Sequence, residues 1–319
     1  MSVRTTTARI GVIGARGHTG AELLALIAAH PGLELAYAAS REFAGRPVRD
    51  VAPAMDSDLT FEAIAADDAP GRGADACVLA LPDGAGADYA AAFEAAAPDT
   101  VLVDLSSDHR FTDDWVYGLP ELHRSKIKGA KRIANPGCYA TGMQLSVAPV
   151  LSRLSAPAAV FGVSGYSGAG TKPSRRNDVD ALADNLMPYA LIGHKHEREA
   201  TRHLGAAVRF TPHVAPFFRG ITLTISLEFS EPQTLDGFRA AYVEAYADEP
   251  LLCITDDIPE VKDAANAHGV TLGGFALSDD GRHGVLVATE DNLLKGAATQ
   301  AMQNVNLALG FDELAGVPV

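Results

Sequence analysis

The chain has 319 residues, 47% of them hydrophobic and 21% charged, which allows a sizeable core and excludes a disordered chain. Its 26 Lys and Arg face 40 Asp and Glu, and a net charge of −14 repels nucleic acid and anionic membrane alike. Three cysteines, Cys77, Cys138 and Cys253, are too few for a disulfide framework and fit a reducing, cytoplasmic setting.

Residues 1–8 hold one Arg and no apolar run, so no signal peptide is expected, and no apolar stretch reaches transmembrane length. Residues 8–13 read as a buried strand and 21–30 as a helix stopped by Pro31-Gly32. Strands follow at 33–39, 76–81 and 101–105, with an alanine-rich helix at 85–97 between the last two. This alternation predicts a parallel sheet with crossover helices, a Rossmann-like doubly wound α/β domain. A helix enters near Cys138 and runs to about residue 151. Beyond residue 155, the segments 158–163, 219–229, 270–277 and 283–289 read as longer strands, several of them alternating, with polar glycine-rich stretches between. They predict a second, α+β domain built on a mixed sheet. The closing helix, 292–309, ends at Gly310 and aligns Leu294, Ala298, Met302, Val305 and Leu309 on one face, so it is expected to pack back on the first domain. The division is residues 1–140 plus 292–319 for the nucleotide domain, and 141–291 for the substrate and dimerisation domain.

The first strand runs into Gly11-Val-Ile-Gly14-Ala-Arg16-Gly17-His18-Thr19-Gly20. A glycine-rich turn between a strand and a helix lets the backbone approach a pyrophosphate, and the helix N-terminus adds free N–H groups and partial positive charge. The spacing Gly11, Gly14, Gly17 is a variant of the dinucleotide fingerprint; the competing reading is a plain tight turn. At the end of the second strand, where an acid would hold an NAD ribose, stand Ser40 and Arg41, which suit the 2′-phosphate of NADP; Glu42 follows.

Cys77 and Cys253 lie in apolar strand-like runs and are expected to be inert buried thiols. Cys138 lies in Asn135-Pro-Gly-Cys138-Tyr-Ala-Thr, where a loop enters a helix, and a helix N-terminus lowers a thiol's pKa. Spacing alone leaves a nucleophilic and a structural role open. Ser164, Gly165 and the segment 167–170, which includes Gly168, could offer backbone donors to an anion or form an ordinary strand exit. A metal site at His194, His196, Glu199, His203 and His213 is disfavoured against a polar helix start, because neither HExxH nor a cysteine pair accompanies them.

The motifs GARGHTG at 14–20, DLSSDHR at 104–110, YGLPE at 117–121 and NPGCYAT at 135–141 stand in this order, followed by SGYSGAG at 164–170, HKHERE at 194–199, PHVAPFFRG at 212–220 and DNLLKGAATQAMQN at 291–304. In order and spacing the chain resembles the N-acetyl-γ-glutamyl-phosphate reductases over essentially its whole length. NPGCYAT is the most specific part, since Gly137 and Tyr139 separate it from the related aspartate-semialdehyde dehydrogenases. His18, Asp83 and Arg198 depart from the family's usual aromatic residue, histidine and proline.

The resemblance implies an NADPH-dependent reductase of arginine biosynthesis that acts on a small acyl phosphate through a thioester on Cys138, with His196 as acid and base. It further implies substrate contacts from Arg110, Asn135, Ser164, Gly165, His194, Glu199 and Arg219, with Arg110, joined by Lys172 or Arg219, as the candidate anion binder. Cofactor contacts are expected from Gly14, Arg16, Gly17, His18, Thr19, Gly20, Ser40, Arg41, Gly168 and Asn292, and the assembly is expected to be a homodimer or homotetramer. A carrier-linked aminoadipyl- or glutamyl-phosphate reductase is the nearest alternative; its acidic carrier matches a chain at −14 poorly. A non-catalytic NADP sensor would not need both the thiol and the histidine.

Overall fold

The computed structural model describes residues 7–55 and 58–318. The expectation of no signal peptide falls mainly on residues 1–6, outside the described residues. Two compact units form, Met1–Gly137 with Ala297–Val319, and Cys138–Gly296.

In the first unit, β1 (Ala8–Ile13), β2 (Leu33–Ala39), β3 (Ala76–Leu79), β4 (Val101–Asp104), β5 (Val116–Tyr117) and β6 (Arg132–Ala134) make one wholly parallel sheet. Its order is β2-β1-β3-β4-β6-β5. Helices α1 (His18–Ala29), α2 (Ala87–Ala96) and α3 (Pro120–Ile127) cross between strands. β3 and β4 are buried at every position, because helices cover a parallel sheet on both faces and leave no polar side to alternate with. The chain steps from β1 to β2 on one side and then to β3 on the other. The C-terminal ends of β1 and β3 therefore flank the crevice where such sheets bind ligands.

The second unit opens with α4 (Cys138–Val147) and continues through β7 (Ala158–Gly165), α5 (Val179–Leu182), β8 (Met187–Pro188), α6 (Lys195–Leu204), β9 (Val208–Ala215), β10 (Ile221–Glu228), α7 (Leu235–Ala245), β11 (Leu252–Ile254), α8 (Val261–Ala264), β12 (Val270–Leu277) and β13 (His283–Glu290). Its seven strands form a mixed sheet in the order β11-β12-β13-β10-β7-β9-β8. β10 shows why one face is covered: Ile221, Leu223, Ile225 and Leu227 are fully buried, while Thr222, Thr224, Ser226 and Glu228 point the other way.

α4 lies on the covered face. A methyl group on Gly142 would come within 2.6 Å of Leu223, and one on Gly162 of β7 within 2.9 Å of Tyr139, so these glycines let helix and sheet close together. At the far end of α4, Tyr242 of α7 and Tyr246 just after it donate to the carbonyls of Ser146 and Leu145, groups a helix leaves without partners.

After a π-helical turn at Leu294–Ala298, α9 (Thr299–Leu309) ends on left-handed Gly310 and packs in the first unit against α1, α3, β3 and β4. The sequence predicts one apolar face here; instead α9 is buried nearly all round, including Gln303, Asn304 and Asn306. The polar groups are tolerated because they are bonded. Asn304 donates to Gly118 O and Asn135 Oδ1, and Asn306 donates to the carbonyls of Glu313 and Ala315.

Cys253 corrects another expectation. It is exposed, because β11 is a three-residue edge strand with only one neighbour. Cys77 is fully buried in β3, and burial pushes its thiol up to about 12, so it stays protonated and inert.

Candidate active site

Cys138 is the first residue of α4 and is half-buried. At that position the free N–H groups of the first helical turn favour a negative sulfur. Tyr139, the next residue, is buried and donates its hydroxyl to His213 O, which pins the first turn of α4 to β9.

Two histidines surround the Tyr139 ring. His194 lies edge-on to it at 6.3 Å between centroids and His196 lies tilted at 6.0 Å; the two imidazoles are 4.9 Å apart. Their place follows from how α6 starts. His194 is the N-cap, its Nδ1 accepting from His196 N, while Glu197 accepts from Gly193 N and Phe210 N. A histidine whose Nδ1 is an acceptor carries its proton on Nε2. Burial, aided by Lys195, Arg176 and Arg198, pushes the His194 pKa down to about 4, so this ring is a neutral Nε2–H donor near pH 7. His196 and Glu199 are buried on the same helix.

The segment between β7 and α6 adds two residues that carry no signal in the sequence. The Tyr189 ring is 5.4 Å from His194, and the Arg176 guanidinium lies 5.0 Å above that ring. Burial and the neighbouring Cys138 raise the Tyr189 hydroxyl far above its usual pKa, so it is a phenol, not a phenolate. Three cations close to His194 make this end of an acidic protein locally basic. Lys172 is exposed on the same segment.

Ser164, Gly165, Gly168 and Asn292 form a separate brace. Ser164 is buried and donates to Gly165 O, and a side chain on Gly165 would strike the Phe218 carbonyl. Asn292 accepts from Gly220 N and donates to Ser167 Oγ, and Gly168 lies close to both Ser164 Oγ and Asn292. Arg219 is held by Asp291 through Nε at 2.5 Å and Nη2 at 3.0 Å, and by Asn266 through Nη1.

In the first unit, buried Arg110 donates to the carbonyls of Asn135 and Leu105, and Asn135 ties its own loop to Ala297 O. Both thus shape the loop that leads to Cys138. Among the described residues no group of three or more His, Cys, Asp or Glu converges to hold a metal ion, and no helix is long and apolar enough to cross a membrane.

The glycine turn corrects the fingerprint: its working glycines are 14, 17 and 20, because Gly11 lies inside β1 under the Tyr37 ring. Gly14 has φ +84°, and a methyl group there would lie 2.3 Å from Ala80 O, so no other residue fits. Gly17 caps α1 without a side-chain acceptor, and Gly20 lets α1 pack on Ala15. His18 and Thr19 open the helix, whose first N–H groups are placed to meet a pyrophosphate. Arg16 reaches Glu42 at 2.6 Å, which brings a cation to Ser40 and exposed Arg41 at the end of β2. The donor set fits a dinucleotide with a 2′-phosphate.

The family model described as "Semialdehyde dehydrogenase, NAD binding domain" matches residues 9–130, and "Semialdehyde dehydrogenase, dimerisation domain" matches residues 138–292. The chain is similar to solved aspartate semialdehyde dehydrogenases. One is enzyme II of Vibrio cholerae, at a TM-score of 0.77 and 19% identity over 96% of this chain and 99% of that one. Another, from Candida albicans, has a TM-score of 0.74 and 18% identity over 98% and 99%. At such identities the likeness shows the fold. Sequence relatives go further. The N-acetyl-gamma-glutamyl-phosphate reductase of Stenotrophomonas maltophilia is 55% identical over 98% of this chain and 99% of its own. That of Xanthomonas oryzae pv. oryzae is 55% identical over 99% and 100%. On this agreement across its full length, the chain belongs to the N-acetyl-gamma-glutamyl-phosphate reductase family.

Proposed function

We propose that the protein catalyses the NADPH-dependent reduction of N-acetyl-γ-glutamyl phosphate to N-acetylglutamate γ-semialdehyde and phosphate in arginine biosynthesis. The observation that carries this is a helix-terminal thiol, Cys138, followed by a tyrosine whose ring lies against two histidines, one of them fixed as a neutral donor, in a chain 55% identical to reductases so named.

The Cys138 thiolate attacks the acyl carbon, the carbon–oxygen bond to phosphate breaks, and a thioester stores the activation. His196 takes the thiol proton and later returns one to the oxygen that becomes the aldehyde. His194, through Nε2–H, donates to a substrate oxygen without changing charge, and Glu199 supports the same helix face. Arg176, Lys195 and Arg198 favour the anionic substrate's approach. The turn at Gly14, Gly17 and Gly20, with Arg16, Ser40 and Arg41, holds NADP; when bound, the dinucleotide supplies the hydride that converts the acyl group to the aldehyde. Arg110 and Asn135 act by shaping the loop before Cys138, with direct substrate contact as a second role. Residues 1–137 and 297–319 are then the cofactor domain, and 138–296 the catalytic domain.

The outer face of the second sheet suits a homodimer. Phe161, Thr222, Thr224, Val285 and Val287 form a flat strip of small and apolar side chains there, and the matching family model is a dimerisation domain. Light scattering on the purified protein should give about twice the 33.3 kDa chain mass, and Thr224→Glu should return it to the monomer. A monomeric wild type would remove the dimer, and a mass of four chains would extend it to a tetramer. Three cysteines, too few for a disulfide framework, support a reducing, cytoplasmic setting.

The function is tested in reverse, by phosphate-dependent reduction of NADP with N-acetylglutamate semialdehyde. Turnover that requires both phosphate and this aldehyde supports the assignment. A folded protein that binds NADP and turns over only a carrier-linked aldehyde would replace it.

A further inference from the structure

Asp291 follows β13 and is fully buried, yet neither the thioester chemistry nor cofactor binding has so far used it. Its carboxylate accepts five hydrogen bonds. Oδ2 takes Arg219 Nε at 2.5 Å and Asn266 N at 2.7 Å; Oδ1 takes Arg219 Nη2 at 3.0 Å, Leu293 N at 2.8 Å and Leu294 N at 3.2 Å. Its own carbonyl accepts from Gly296 N at 2.9 Å. The residue therefore governs both ends of the short turn from 291 to 296.

That turn ends on the nucleophile. A methyl group placed on Gly296 would come within 2.7 Å of Cys138 Cβ and 3.2 Å of its Cα. Separations under 3.0 Å do not occur in packed proteins, so only glycine lets the turn rest against the cysteine, and any shift of the turn is felt there first. Behind it, Gly220, next to Arg219, has φ +109° and donates to Asn292, which closes a second tie to the same turn. The guanidinium is committed to a buried carboxylate in fork geometry, a use that lysine cannot copy.

We propose that Asp291, clamped by Arg219, is the positioning residue for Cys138. It fixes the turn whose Gly296 abuts the cysteine and so sets where the sulfur stands at the end of α4. The inference rests on Cys138 being the nucleophile. It replaces the direct substrate contact expected of Arg219.

The test is alkylation of Cys138 by iodoacetamide as a function of pH, with turnover and thermal midpoint measured alongside. A Cys253→Ser background removes the exposed thiol, and Cys77 is buried and protonated. Asp291→Asn places an amide N–H against donors, so the turn shifts. Alkylation and kcat should each fall about tenfold or more, with a displaced alkylation midpoint, because misplacing a reacting group is costly. Arg219→Lys should recover part of what Arg219→Gln loses. Gly296→Ala, which presses on Cys138 without touching the ion pair, should reproduce the kinetic loss and covers the case in which Asp291→Asn does not fold. Asp256→Asn, which breaks the exposed pair with Arg239 in the same unit, is the control. A lower thermal midpoint in Asp291→Asn with wild-type alkylation and kcat would make the pair a mere brace and overturn the proposal. If Cys138→Ser itself remains active, the nucleophile reading fails instead, and the two failures are told apart.

Discussion

Cys138→Ser is expected to lose turnover by about three orders of magnitude or more while the protein keeps its fold and its affinity for NADPH. A serine hydroxyl in this position has nearly the same shape, and the residue is only half-buried, so packing changes little. What is lost is ionisation. The N–H groups at the start of α4 favour a thiolate over a thiol, but they cannot bring an alcohol to ionise. An acyl phosphate then has no nucleophile to expel its phosphate, and no thioester forms to be reduced. Mass spectrometry after exposure to the aldehyde and NADP should find the acyl group on Cys138 in the wild type and none in the variant. Cys253→Ser, on the exposed edge strand, should match the wild type. A Cys138→Ser enzyme retaining more than about a tenth of the turnover would rule out covalent catalysis at this residue.

The parallel sheet was legible because its strands are short continuous apolar runs, with β1 and β2 falling at 8–13 and 33–39. The glycine turn was legible at Gly14, Gly17 and Gly20, and only Gly11 was added to it in excess. Gly11 looked like part of the fingerprint, and only the Tyr37 ring beneath it shows that its small size serves strand packing.

β9 escaped notice. Arg209, Thr211 and His213 on its open face and Pro212 in its middle hide the buried alternation of Val208, Phe210 and Val214. α6 was legible only as a polar helix start, without its length or its buried face. KHEREATRHL is polar nearly throughout, its buried side consists of His196, Glu199 and Ala200, and its cap is a histidine, which is not a usual capping residue. A functional helix that buries its chemistry in place of aliphatic side chains breaks the pattern on which sequence reading depends. Arg219 and Asp291 were visible within quoted motifs, but 72 positions of separation concealed that each is the other's partner.

His196→Asn is expected to lower kcat by about two to four orders of magnitude, the usual worth of a positioned general acid and base. Its neighbour makes the assignment testable. His194 has its Nδ1 lone pair tied to the His196 backbone N–H and its pKa pushed down to about 4, so near pH 7 it is a neutral ring too weakly basic, and too engaged, to take the thiol proton. Asn can replace it as an N-cap, so His194→Asn should cost only about tenfold, the loss of one neutral hydrogen bond to the substrate. The sign of the pH effect follows. A base must be unprotonated to take the thiol proton, so kcat/KM falls as pH drops through the pKa of the working histidine. That acid limb should persist in His194→Asn and vanish in His196→Asn. The reverse pattern, with the limb near pH 4 and the larger loss at His194, would transfer the acid and base role to the capping histidine. It would also mean that the His194 ring turns over during the reaction, since Nδ1 is the acceptor at the helix start. Iodoacetamide provides a second check on the first step alone. If His196 takes the thiol proton, its removal should slow alkylation of Cys138 at pH 7 and leave the rate at high pH unchanged, where hydroxide does the same work.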